Sequence, residues 1–134
     1  MTPPSTPYGM SRSLDVPFEE ADRRVREALQ KEGFGVLTEI DVQETLKKKL
    51  DVDFRPYRIL GACNPPLAHK ALSAEEQVGL LLPCNVIVYA GASEGTSVVA
   101  VLDPRAQLSV AGNPALDELG SEVLARMERV LANL

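Results

Sequence analysis

The sequence predicts an α+β fold: a two-layer sandwich of a mixed or antiparallel sheet with helices packed mainly on one face. Three observations carry this. Helical stripes and β-branched runs both occur, without the strict alternation of a doubly wound sheet. Two such runs, 85–89 and 96–102, flank the glycine-bounded Gly91-Ala92-Ser93-Glu94-Gly95, which is hairpin chemistry. Finally, 134 residues with 45% apolar content make one domain with a single core.

Residues 1–7 hold three of the ten prolines and no apolar pattern, so they read as a disordered lead to a single domain over 8–134. Tyr8 to Val16 alternates imperfectly, as a first strand. Pro17 suits the first position of a helix. Phe18, Ala21, Val25, Ala28 and Leu29 then recur at spacings of three and four, one stripe of a helix over 17–32. Gly33 is suited to end it, because the residue past a helix end often needs a left-handed backbone. Residues 34–40 read as a strand.

Asp41 can cap a short helix over 42–50. Its last turns hold Lys47, Lys48 and Lys49, where cations oppose the negative helix end. Tyr57 to Cys63 is an interior strand. Asn64 is then a potential cap and Pro65 a first helical residue, for a helix over 65–72. Gly79 to Leu82 is apolar and ends at Pro83. Residues 85–89 and 96–102 form the hairpin, and Asp103-Pro104 stops it. A last helix over 114–133 carries Leu116, Leu119, Val123, Met127, Val130 and Leu134 on one stripe.

Charge narrows the function classes. The net charge is −5. Nucleic-acid binding needs a clustered positive footprint, and stacking needs aromatic platforms. This chain is acidic, with three Tyr, three Phe and no Trp, so a nucleic-acid partner is not expected. Residues 44–70 are the exception, summing to +3 between flanks of −3 and −5. No run approaches the roughly 18 apolar residues of a membrane span, so no membrane partner is expected. The N-terminus lacks a basic region followed by an apolar one, so the expected location is the cytoplasm. Cys63 and Cys84 are then expected to be reduced.

The turn Gly61-Ala62-Cys63-Asn64-Pro65-Pro66 is the most informative segment. A strand runs into a helix start, whose unpaired N–H groups and dipole favour negative charge. A thiolate at Cys63 would be stabilised there. Three chemistries follow. In the first, Cys63 is an activated nucleophile or persulfide carrier and Cys84 its resolving partner. In the second, Cys63, Cys84 and His69 hold a metal; that spacing is poor, since closed zinc sites want four ligands, and no metal or cofactor is expected. In the third, the helix start forms a pocket for a small anionic ligand, with Arg58, Cys63, Asn64 and His69 around it. Against all three stands the ordinary role of free cysteine, which fills core space. His69 is the sole histidine and no G-x-S-x-G segment occurs, so a serine-hydrolase triad has no support.

At Gly33-Phe34-Gly35-Val36, Asp41-Val42-Gln43-Glu44-Thr45-Leu46 and Tyr57-Arg58-Ile59-Leu60-Gly61-Ala62-Cys63-Asn64-Pro65 the chain resembles the domain-of-unknown-function family 302. Leu82-Pro83 before the hairpin and Asp103-Pro104 at its end add to the likeness, which covers roughly residues 10–105 and, more weakly, the last helix. The resemblance implies a compact two-layer fold and a homodimer. It implies no catalytic residues. The Asn64-Pro65 step matches a broad family pattern, while cysteines at 63 and 84 belong to one branch. The sequence therefore leads to a small domain that binds a small anionic ligand or a protein partner near Cys63-Asn64-Pro65. A thiol or sulfur-relay protein, and a purely structural or interaction domain, are the alternatives.

Overall fold

The computed structural model describes residues 6–134. Of the expected lead, residues 1–5 lie outside the described residues; Thr6 makes an isolated bridge to Gly9. Five strands form one sheet: β1 (Gly9–Leu14), β2 (Gly35–Asp41), β3 (Tyr57–Cys63), β4 (Cys84–Ala90) and β5 (Ser97–Leu102). Their order is β1-β5-β4-β3-β2, and every neighbouring pair is antiparallel. The helices are α1 (Phe18–Lys31), α2 (Val42–Leu50), α3 (Pro65–Ala74), α4 (Pro104–Ser109) and α5 (Asp117–Ala132). The fold is α+β, as the sequence predicts.

The local signals explain most boundaries. Pro17 caps α1 from just outside it, and Ala21, Val25, Ala28 and Leu29 are its buried stripe. Gly33 adopts φ +83°. Its N–H reaches Gln30 O and that of Phe34 reaches Leu29 O, which satisfies the last carbonyls of α1 and turns the chain into β2. Asp41 accepts from the Glu44 N–H at the start of α2, and α2 buries none of its residues. Lys47 and Lys48 at its end pair with Asp51, Asp53 and Glu44 across open surface.

The apolar segment before Pro83, to which the sequence assigns no element, falls largely in a 3₁₀ turn over Glu76–Leu81, and two further boundaries differ from expectation. Asp103-Pro104 does stop β5, yet it also starts α4: the Asp103 carboxylate accepts from the Arg105 N–H, and Pro104 needs no N–H there. The last helix starts at Asp117 rather than Pro114, because Asn113 caps a separate short 3₁₀ turn over Pro114–Leu116.

Strand residues alternate between the two faces of the sheet. Leu60, Val86, Val88, Val99 and Val101 point to the side covered by α1 and α5, where they meet Leu29, Met127 and Val130 in the main core. Arg12 points the same way and donates to the carbonyls of Leu131 and Ala132, closing the C-terminal end of α5. Arg126 donates to Glu32 O at 2.8 Å and ties α5 to the end of α1. A smaller cluster of Ala71, Val78 and Leu116 holds α3, the 3₁₀ turn at 76–81 and the start of α5 together. Among the described residues no helix is long and apolar enough to cross a membrane.

Candidate functional site

The junction singled out in the sequence is the start of α3. Asn64 is buried, and its Oδ1 accepts the Leu67 N–H at 3.3 Å. Its backbone carbonyl accepts the Ala68 N–H at 2.9 Å. Pro65 and Pro66 have no N–H to offer. The first four positions of α3 therefore present no free donor, and the expected anion site at this helix start is withdrawn. The capping role of Asn64 stands. The same side chain packs against Gly33, where a Cβ would lie 2.9 Å from Asn64 Nδ2. Gly33 is thus required both by its backbone and by its neighbour.

Arg58 does not belong to this junction. It lies five residues before Cys63 on an extended strand, about 16 Å away. Its guanidinium donates to both oxygens of Glu19, at 2.9 and 3.1 Å. It also stands 3.4 Å from each of the carboxylates of Asp22 and Glu39 and 4.8 Å from the centre of the Phe18 ring. Its positive charge is committed to the inner surface of α1. His69 is exposed on α3. Among the described residues no group of three or more His, Cys, Asp or Glu is placed to hold a metal, so the Cys63–Cys84–His69 set does not assemble.

What the fold does bring together is the two cysteines. Cys63 ends β3 and Cys84 begins β4 opposite Ala62, and both are half-buried. They line one cavity of about 360 Å³, bounded by the β3–α3 junction, the segment before β4, and helices α4 and α5. Its walls are mainly carbon: Phe34, Leu37, Leu67, Leu72, Leu82, Leu108, Leu119 and Val123. No charged side chain lines it. Leu37 reaches the cavity because β2 changes register against β3 between Val36 and Thr38.

The polar atoms on the walls are few. Gln107, buried on α4, donates through Nε2 to Leu81 O and accepts from the Cys84 thiol at 3.5 Å. Burial pushes the Cys84 thiol up to about 11; the Gln107 contact opposes this, and the nearby Cys63 adds to it. Cys84 is therefore a neutral thiol at physiological pH, not an activated nucleophile. Gln107, Leu108, Leu119 and Val123 were not foreseen as site residues. The signal for α4 was present in Asp103-Pro104, the same cap-then-proline step as Asn64-Pro65.

The fold and this cavity define a small two-layer α+β domain with one apolar, thiol-bearing recess. The chain matches the family described as domain of unknown function DUF302 over residues 10–134, and it belongs to that family. It is also similar to a solved structure, that of an uncharacterized conserved DUF302 protein from Bacillus stearothermophilus. The identity is 31% and the TM-score 0.86, over 96% of this chain and 98% of that one. None of the curated proteins matches.

Proposed function

We propose that the domain binds a small, neutral, largely apolar molecule in the cavity beside the Cys63-Asn64-Pro65 turn. One observation carries the reading: a recess of about 360 Å³, walled by carbon and free of charge, with Gln107 fixed on its wall. That volume lies within the range of roughly 300–1,000 Å³ usual for small-molecule sites, which are apolar with a few oriented polar groups. The sequence suggested an anion; a cavity lined by no cationic side chain disfavours one, because buried charge without a partner is costly.

The test uses the neutral fluorophore N-phenyl-naphthylamine, which the Trp-free chain allows to be read cleanly. Wild type is expected to enhance its emission saturably. Ala68→Phe, which fills the recess from α3, is expected to abolish this while keeping the far-UV spectrum. No saturable enhancement in wild type, or an unchanged one in folded Ala68→Phe, overturns the reading.

A second reading rests on the sharing of this cavity by Cys63 and Cys84. Here a bound electrophile or disulfide meets Cys63, while Cys84 stays protonated beside it. Alkylation by iodoacetamide at neutral pH is then expected to modify Cys63 readily and Cys84 hardly at all. Two inert thiols in the native chain remove this reading and leave the first.

A further inference from the structure

The backbone amides at the start of α3 are engaged, but a side-chain amide beside them is not. Asn64 is 8% exposed and lines the cavity. Its Oδ1 takes the Leu67 N–H, while Nδ2 has no acceptor among the described residues. Capping asks only for that oxygen, and Asp or Ser would supply it as well. Asn adds two N–H donors that the cap does not use.

Gln107 stands on the wall of the same cavity and is 7% exposed. A carboxamide has two N–H groups and two oxygen lone pairs. Gln107 gives one N–H to Leu81 O and one lone pair to the Cys84 thiol. Its second N–H has no acceptor among the described residues. Two carboxamides, each more than nine-tenths buried, thus border one recess with donors still open.

The open groups are unequal. Each carboxamide oxygen also keeps a lone pair, but a buried carbonyl oxygen with one bond is tolerated more readily than an N–H with none. Thr38, also on the wall, is exposed, and its hydroxyl can donate or accept, so it does not discriminate. The balance is an excess of donors in an uncharged, carbon-walled space. A carboxylate or phosphate would meet those donors but bring a charge that no cation on the walls offsets. A pure hydrocarbon would leave them unpaired. A neutral carbonyl oxygen avoids both costs. Building on the reading of the cavity as a site for a neutral apolar molecule, we infer that its ligand is a ketone or an ester with an apolar body. The carbonyl oxygen accepts from Asn64 Nδ2, and Gln107 offers a second donor.

Displacement of N-phenyl-naphthylamine by two competitors of matched size tests this. One is 2-acetylnaphthalene; the other is 2-isopropylnaphthalene, in which a methyl group stands for the carbonyl oxygen. The readout is the ratio of their affinities, so the greater hydrophobicity of the hydrocarbon cancels between protein variants. Asn64→Asp keeps a capping oxygen and removes both donors. It is expected to shift the ratio against the ketone by about tenfold, the effect of one lost hydrogen bond, while N-phenyl-naphthylamine still binds. The infrared carbonyl stretch of bound 2-acetylnaphthalene reads the same contact without a variant. In wild type it is expected below its position in hexane, and nearer to that position in Asn64→Asp. A ratio unchanged in folded Asn64→Asp, or a wild-type stretch at the hexane position, overturns the inference and leaves the cavity reading intact. Failure of N-phenyl-naphthylamine to bind wild type overturns both.

Discussion

The Cys84 thiol donates to Oε1 of Gln107 across 3.5 Å, and the amide of the same glutamine donates to Leu81 O. One side chain from α4 thus fixes both the first residue of β4 and the end of the 3₁₀ turn before it. Removing the amide leaves a part-buried carbonyl without this partner, at a cost of about 1 kcal/mol.

Burial gives Cys84 a stability signature. Its thiol is held at about 11 in the folded chain, against 9.0 for an ordinary one, chiefly by burial. The neutral form is favoured by folding, so the contribution is complete below pH 9 and is lost as pH rises through 11. Two units correspond to about 2–3 kcal/mol. Urea unfolding at pH 7 and at pH 11 is expected to show the stability of wild type relative to Cys84→Ala falling by that amount. A pH-independent difference would show that Cys84 titrates normally.

Gly61 is a second sensitive point. A Cβ there would meet Thr38 Oγ1 at 2.1 Å and Pro83 Cγ at 2.8 Å. Gly61→Ala is expected to cost about 1–3 kcal/mol by overpacking. Thr38→Ala removes the nearer obstacle, so the double variant is expected to recover part of that loss. A double-mutant cycle by chemical denaturation reads the coupling directly.

Arg58 separates stability from binding. Its side chain is 19% exposed and shares Asp22 with Arg26. Its Nε lies 3.4 Å from Glu39, too poorly aligned for a hydrogen bond. Arg58→Met is expected to lower stability by about 1–3 kcal/mol: Asp22 and Glu39 keep Arg26 as a cationic partner, while Glu19 loses its own. Glu19→Gln is expected to cost under about 1 kcal/mol, because Glu19 is largely exposed. Neither change is expected to alter the affinity for N-phenyl-naphthylamine. A large fall in affinity with Arg58→Met would bring that residue back to the site.

The sheet, the hairpin and the two long helices were legible because their signals are local. Val25 and Leu29 recur on one helical face, residues 85–89 and 96–102 are rich in β-branched side chains, and Gly33 ends α1. The cavity was not legible, because its walls come from segments as far apart as Leu37 and Val123, which only tertiary packing unites. The withdrawn anion site is a different lesson. Pro65 and Pro66 already removed two of the four donors on which it depended, and the capping carboxamide of Asn64 occupied a third. That count was available from the residues alone. Arg58 misled through nearness in sequence: a strand carries neighbours apart at about 3.3 Å per residue.

The cavity touches Phe34 and Leu67 of the large cluster on one wall and Ala71 of the small cluster on another. A guest seated there would be mortar between a heavy block and a light one. Its binding energy would weigh most on the light block, whose own cohesion is least. Occupancy should therefore slow amide exchange in α3 and α4 long before it registers in the central strands, giving the protein a local reporter of its bound state.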